Sequence, residues 1–385
     1  MKLIYISHWR FPSEKTMSPL IMRTCEQFVR RGFAVELWIP KRKNKQFQGN
    51  DPFEYHQIAQ KFEIRWLPVI DLMESMPGPI SFSLLLGSFV VSLFFAALRR
   101  TKRGDIFYFH DIRDAVSVLL LPRPTFVEIH DFYKSSLGLL NRWCFRRISG
   151  FIVTNHYKME LLAKDFHVSE SRMLHQPNAV NVEQFSITTS QTEARIQLDL
   201  PRGSPIVLYT GHLFGWKGVD TLLASAAFLP EGALVYFVGG TDEDIKNFKF
   251  KILNLKFPNV IIAGRKPHQE IPLWLRAADV LVLPNTAKED ASKYETSPVK
   301  LFEYMASGRP VLASDLPSIR NVVDERLVFF FEPDNPESLA HACKYVLEHI
   351  GEARERTDAA QEEVQKYTWE KRGEAIAKFI NTLVK

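Results

Sequence analysis

The chain has 385 residues, 46% hydrophobic, 12% aromatic and 24% charged. That length predicts two domains, and the composition excludes a disordered or fibrous chain. The net charge of +5 is uneven: residues 1–185 carry 25 basic against 17 acidic side chains, residues 186–385 carry 24 against 27. Either the first half meets something anionic, or the excess is scatter over its surface.

The chain opens on a strand pattern, "KLIYIS" (2–7), with no apolar leader before it. Cys25, Cys144 and Cys343 lie far apart and form no CxxC pair, so neither a disulfide framework nor a structural zinc is expected. These features predict a cytoplasmic chain, soluble or peripheral on the inner face of a membrane. "SPLIMRTCEQFVRRG" (18–32) reads as a helix with Ser18 as N-cap, Pro19 at the first position and Gly32 ending it. Further strands are expected at 33–40, 62–69, 105–110, 125–130 and 150–155.

Within this series, "ISFSLLLGSFVVSLFFAAL" (80–98) is free of charge and is followed by Arg99, Arg100, Lys102 and Arg103. It is long enough to span a bilayer. Its four serines and one glycine, the strand patterns on both sides and the lack of a second such segment favour a helix partly in the core and partly on a bilayer surface. A core helix and a true span are the alternatives. "LLNRWCFRRISG" (139–150) sets Arg142, Arg146 and Arg147 among Trp143 and Phe145. It is either a membrane-facing helix or a core helix with a solvated edge. No nucleic-acid-binding module is recognisable, so no nucleic-acid partner is expected.

The polar stretch 186–204 reads as a linker region. Strand patterns resume at 205–211, 233–240, 259–264, 279–285, 309–314 and 327–331, with helices between, including 218–229. Short apolar strands separated by helices predict parallel sheets covered on both faces. The fold class is therefore α/β, with two Rossmann-like doubly wound domains at 1–185 and 200–366 facing a central cleft. Ligands are expected at the carboxyl ends of the strands. The closing helix, 367–385, carries Ala375, Ile376, Phe379, Ile380 and Leu383 at helical spacing and must pack on one of the two domains, the first being a candidate.

Three stretches carry chemistry. In "YTGHLFGWKGVD" (209–220) a strand ends at Gly211, and Lys217-Gly218 opens a helix. Lys217 is either a solvated loop lysine or part of an anion site at a helix mouth. The spacing is not that of a P-loop. In "YETSPVKLFEYMASG" (294–308), Ser297-Pro298 predicts an N-cap and first helical residue, and Gly308 a C-cap. The free N–H groups of that first turn suit a phosphate. Glu303, on the second turn, can accept from two vicinal hydroxyls, and Glu295 can meet another part of the same ligand. In "VEIHDFY" (127–133), His130 ends a strand. It is either satisfied by its neighbours or functional, and Asp131 either orients it or caps the next helix. "TDED" (241–244) holds Asp242 and Asp244 in the spacing of a metal-binding DxD. After Gly239-Gly240 it reads instead as the charged start of a helix.

The Glu295–Glu303 pair before "MASGRPVLAS", the "YTGHLFGWKG" loop, the "FVGG" strand end, "LRAADVLVLPN" and "PNAVNVEQF" together resemble the donor domain of retaining glycosyltransferases of family 4. The likeness is strong over 175–345 and weaker from 1 to 175. It implies a GT-B fold and a nucleotide-diphosphate sugar as co-substrate, with no cofactor or metal. The acceptor would be lipid-linked or an envelope polysaccharide or glycolipid precursor. A soluble small-molecule acceptor and a non-catalytic sugar-nucleotide-binding scaffold are the rivals. By position the resemblance assigns Glu303 to the ribose, Glu295 to the transferred sugar and His130 to the reacting centre. It assigns Lys217 to the diphosphate, with Gly211, His212 and the helix mouth at Ser297 and Val299. Two departures stand out. His212 replaces the arginine common after that glycine, so the charge leans on Lys217. "HWRFPSEKTMSP" replaces the family's glycine-rich turn after the first strand.

Overall fold

A computed structural model describes residues 1–13, 17–130, 138–255 and 257–384. The chain divides into two compact units. The first comprises Met1–Pro177 and Trp369–Lys385, the second Asn178–Thr368.

The first unit holds seven parallel strands: β1 (Lys2–Ile6), β2 (Ala34–Pro40), β3 (Glu63–Leu67), β4 (Ile106–Phe109), β5 (Thr125–Ile129), β6 (Gly150–Val153) and β7 (Met173–His175). Their order is β3-β2-β1-β4-β5-β6-β7. Leu3 pairs with Val35 on one side and Ile106 on the other, so β1 is central and apolar on both faces. Leu3 and Tyr5 face a cluster with Ile21, Cys25 and Phe28 of the Met17–Arg30 helix and Ile376 and Ile380 of the Trp369–Val384 helix. Ile4 and Ile6 face the other side, with Phe89, Leu93 and Phe145. The period-2 alternation of one strand thus builds both covering layers.

One helix start in this unit differs from expectation. The first helix begins at Met17. Ser18 lies inside it, with its hydroxyl 2.7 Å from His56 Nε2, so a tertiary partner takes the oxygen that a cap would use. The Pro79–Arg100 helix buries only Ser81, Leu85, Phe89, Leu93 and Ala97, a single stripe at i,i+4 spacing. Its other faces, apolar as well, stay exposed at Ile80, Val91, Phe95 and Leu98. The Gly138–Arg147 helix buries Cys144 and Phe145 and exposes Arg146 and Arg147. The side chain of Arg142 lies outside the described residues.

The second unit holds six parallel strands: β8 (Ile206–Thr210), β9 (Leu234–Val238), β10 (Val260–Gly264), β11 (Val280–Leu283), β12 (Val311–Ser314) and β13 (Phe329–Phe331), ordered β10-β9-β8-β11-β12-β13. Ile206 and Leu208 pack with Leu301, Phe302 and Tyr304. Val207 and Tyr209 pack with Leu222 and Cys343 on the opposite face. The stretch expected as a linker is structured. Gln191–Gln197 is a helix with a reciprocal Ser190–Glu193 capping box. Buried Arg195 donates to the Ala277 carbonyl at 2.9 Å and to Asp279 Oδ2 at 2.6 Å. The polarity of that segment serves a cap and a partly buried ion pair, which composition alone does not distinguish from a loop.

Candidate functional site

In the second unit the site grows from the end of β8. Tyr209 is fully buried, and its hydroxyl donates to the His212 carbonyl at 2.7 Å. The same hydroxyl accepts from Lys300 Nζ at 2.7 Å, and that ammonium stands 4.0 Å from the Tyr209 ring centroid. Gly211 follows at φ 125°, and a Cβ there would lie 2.8 Å from Lys300 Nζ. The position needs glycine for both its backbone and its close neighbour. Gly218, at φ 71°, would drive a Cβ into the Pro284 carbonyl. These glycines let the loop lie flat against the strand ends.

Lys217 ends the short Gly215–Lys217 turn, with its ammonium 3.7 Å from the Trp216 ring centroid. Burial pulls its pKa down from 10.5 to about 8. Burial likewise holds Lys300 well below the usual lysine range. The Lys217 charge lowers it further, and Glu303 opposes the shift. Neither lysine has a carboxylate within ion-pair distance among the described residues. Two desolvated cations without a counter-ion are costly unless something anionic joins them. Lys300 was not singled out from the sequence. Its partner Tyr209 lies 91 positions away, and only the packing joins them.

The Val299–Ala306 helix begins one residue later than expected. Pro298 is its N-cap and no side chain caps it. The Ser297 hydroxyl accepts from the Asn178 backbone N–H at 3.3 Å, and its carbonyl accepts from Asn178 Nδ2 at 2.7 Å. Ser297 is therefore not the cap, and the first-turn N–H groups from Val299 onward carry no side-chain cap. Tyr304 anchors the helix to β8 by accepting from the Thr210 N–H at 2.9 Å. Glu303 is 9% exposed, and its Oε1 lies 3.3 Å from His268 Nε2. His268 is a second residue the sequence did not reveal. Glu295 closes the Ala291–Glu295 turn and is partly buried. Ser292 fastens that turn to Ser318 and Asn285 at 2.8 and 3.3 Å.

His212 stacks on Phe214 at 4.9 Å, and its Nδ1 is 3.8 Å from Asp244 Oδ2. Burial lowers its pKa, Asp244 opposes this, and Lys300 and Lys217 add to it. The shift favours the neutral imidazole, which leaves the positive charge here to the lysines. Asp244 exchanges hydrogen bonds with Thr241 at 3.0 and 3.2 Å, at the start of the Asp242–Leu255 helix. The DxD-like pair is a helix start, as its sequence context indicates.

In the first unit, His130 follows β5. Its Nε2 is 2.5 Å from Glu128 Oε1, and its carbonyl accepts from Lys158. Glu128 is fully buried, accepting also from Tyr108 at 2.6 Å and from Arg372 at 2.5 Å. Burial alone would raise its pKa, but the Arg372 and His130 charges outweigh that and hold it well below the carboxylate range. His110, after β4, stacks on His130 at 4.4 Å. Burial first and the His130 charge second push its pKa down to about 3. His8, after β1, meets Asp114 at 2.9 Å. Three neighbouring strand ends thus present His8, His110 and His130, of which only the last was singled out. Asp131 lies outside the described residues.

Residues 190–364 match the family described as glycosyl transferases group 1. The match covers most of the second unit and under half of the chain. Among curated relatives, a proposed teichuronic acid biosynthesis glycosyltransferase, TuaH, of Bacillus subtilis is 29% identical over 46% of this chain and 42% of its own length. The sulfoquinovosyl transferase SQD2 of Arabidopsis thaliana is 27% identical over 49% of this chain and 36% of its own. The matches thus span less than half the length of these relatives. Among solved structures, the sucrose-phosphate synthase of Thermosynechococcus elongatus superposes with a TM-score of 0.78 at 20% identity, covering 99% of this chain and 98% of the other. HepE of Anabaena in complex with UDP-glucose gives 0.75 at 17%, covering 99% and 100%. At such identities the likeness carries the fold, and the fold is GT-B.

Proposed function

We propose that the chain is a retaining glycosyltransferase that moves a sugar from a nucleoside diphosphate sugar to an acceptor of the lipid-linked, envelope polysaccharide or glycolipid class. The observation that carries this reading is Lys217 and Lys300, desolvated and without a counter-ion among the described residues, beside the uncapped first turn of the Val299–Ala306 helix. As the bond from the sugar to the diphosphate breaks, negative charge gathers on the diphosphate. Two fixed cations and a helix N-terminus stabilise that charge more than the ground state. They do the work of a divalent metal, so none is required. Glu303 accepts from the ribose hydroxyls, and Glu295 takes the hydroxyls of the transferred sugar. His130, its Nε2 engaged by Glu128, offers Nδ1 to the sugar.

The family resemblance supports retention and these roles. The complex of HepE with UDP-glucose supports the donor class. The acceptor class draws on the relative in teichuronic acid biosynthesis and on a processive diacylglycerol alpha-glucosyltransferase of Acholeplasma laidlawii, 24% identical over 44% of this chain. A panel of UDP-, GDP- and ADP-sugars, assayed with EDTA and with lipid and soluble acceptors, tests the reading. Binding of a donor without turnover on any acceptor overturns it in favour of a scaffold.

A further inference from the structure

A cavity in the first unit lies away from these residues. It is an open groove of about 910 Å³ between the edge strand β3 and the Pro79–Arg100 helix. This is the size of a site for a small organic ligand. Trp66 and Ile70 form one wall, and Leu84, Val91 and Phe95 form the other. Gly87, which has no side chain, deepens the floor. All five wall residues are exposed, from 41% for Trp66 to 56% for Val91. The helix has a mean hydropathy of 2.2 over 18 residues, yet only one stripe of it is buried. A helix apolar all round belongs in a core or in lipid.

The groove is polarised. Arg99 and Arg100 close one end, and Lys102 and Arg103 follow in the next turn. Arg65, also at that end, is paired with Glu63 and Glu36. The other four cations have no carboxylate partner among the described residues. The basic end lies where the strands begin, because Thr101 accepts through its carbonyl from Arg123, just before β5. His110 and His130 stand where strands end. A ligand head held by Arg99 and Arg100 is therefore at the wrong end of the sheet to be an acceptor at those histidines.

We propose that this groove is an anchoring site for an anionic phospholipid of a bilayer surface. The phosphate head would lie on the Arg99–Arg103 cluster and an acyl chain would lie along the apolar walls. Four cations with no carboxylate partner among the described residues, beside an apolar trough, match the charge and amphipathy of that lipid. The inference stands apart from the donor reading, since no residue is shared.

The test is flotation of the full chain with vesicles of phosphatidylglycerol or of phosphatidylcholine at low salt, with Trp66 as reporter. Binding to the anionic vesicles alone is expected, with Trp66 fluorescence quenched by brominated acyl chains and the quenching lost in Trp66→Phe. Arg99→Ala with Arg100→Ala should weaken binding about thirtyfold, at roughly fivefold per cation. Val91→Asp with Phe95→Ser, both at exposed positions, should abolish quenching with an unchanged Tm. No binding to anionic vesicles, equal binding to both lipids, or full binding by the Val91/Phe95 variant overturns the proposal. So does a dimer in solution that this variant dissolves, which would give the groove to a second copy of the chain.

Discussion

The Lys300 ammonium lies 2.7 Å from the Tyr209 hydroxyl and 4.0 Å from the centroid of the same ring. Both contacts are to a neutral group, so the charge is held in place but not neutralised. Held so, the cation costs the empty protein stability and favours an anionic ligand. Lys300→Met should therefore shift two measurements in opposite directions. The melting temperature without ligand should rise, by about 2–4 °C for each kcal/mol recovered. Affinity for a nucleoside diphosphate should fall by about 10–100-fold, the range for a hydrogen bond to a charged group. Calorimetry and thermal unfolding on one preparation check both. A variant that loses stability and keeps its affinity places Lys300 in the scaffold.

Lys217 gives the pH dependence. Its pKa falls from 10.5 in the unfolded chain to about 8 in the folded protein. Between these values the unfolded state binds the extra proton, so stability rises with pH across that window. Binding runs the other way. A diphosphate favours the charged form, so affinity should be steady below pH 8 and fall above it, with net proton uptake. Calorimetry in two buffers of different ionisation enthalpy measures that uptake directly. Affinity that stays flat from pH 7 to 9.5 removes Lys217 from the phosphate contacts.

Glu303 separates ribose from phosphate. A carboxylate on two vicinal hydroxyls contributes about 1.5–3 kcal/mol per charged hydrogen bond, and its loss is felt only by ligands that carry the sugar. Glu303→Ala should weaken a nucleoside diphosphate at least tenfold and leave inorganic pyrophosphate unchanged. Equal losses for both ligands would mean that the variant disturbs the helix mouth rather than the ribose contact.

The legible features of the sequence are those written in local chemistry. The long apolar strands stand out because both faces of a parallel sheet are covered. β7 does not, with three residues of which only Met173 is buried. Lys217 and Glu303 lie in stretches whose glycines, proline and helix start were visible. Lys300 sits in the same helix as Glu303 and reads as an ordinary surface charge until Tyr209 is folded beneath it. Ser297 and Ser18 both look like caps, and both hydroxyls go to tertiary partners instead. The histidines of the first unit did leave a signal. "YISH", "FYFH" and "VEIH" each put a histidine at or just after the end of a strand pattern, and the repetition points to one sheet edge.

Arg372 ties the Trp369–Val384 helix to the first unit. It is 1% exposed, donates to Glu128 at 2.5 Å and to the Pro177 carbonyl at 3.1 Å, and stands opposite a carboxylate with no exposure at all. Removing one partner of a buried pair leaves an uncompensated charge and costs about 3–5 kcal/mol. Arg372→Met should be destabilised by that amount at pH 8, and adding Glu128→Gln should recover part of it, since the orphaned charge goes too. The pH trend identifies the cause. In the wild type Glu128 is held below the ordinary carboxylate range, so its contribution is full above the unfolded pKa and is lost only as pH falls through the depressed folded value. Without Arg372, burial is opposed by His130 and His110, and the folded pKa is expected to rise above the unfolded one. The single variant should then regain stability as pH falls towards 5 and Glu128 takes up its proton. Denaturant unfolding of both variants at pH 5 and pH 8 measures this, and a destabilisation independent of pH would assign the cost to lost packing rather than to the buried charge.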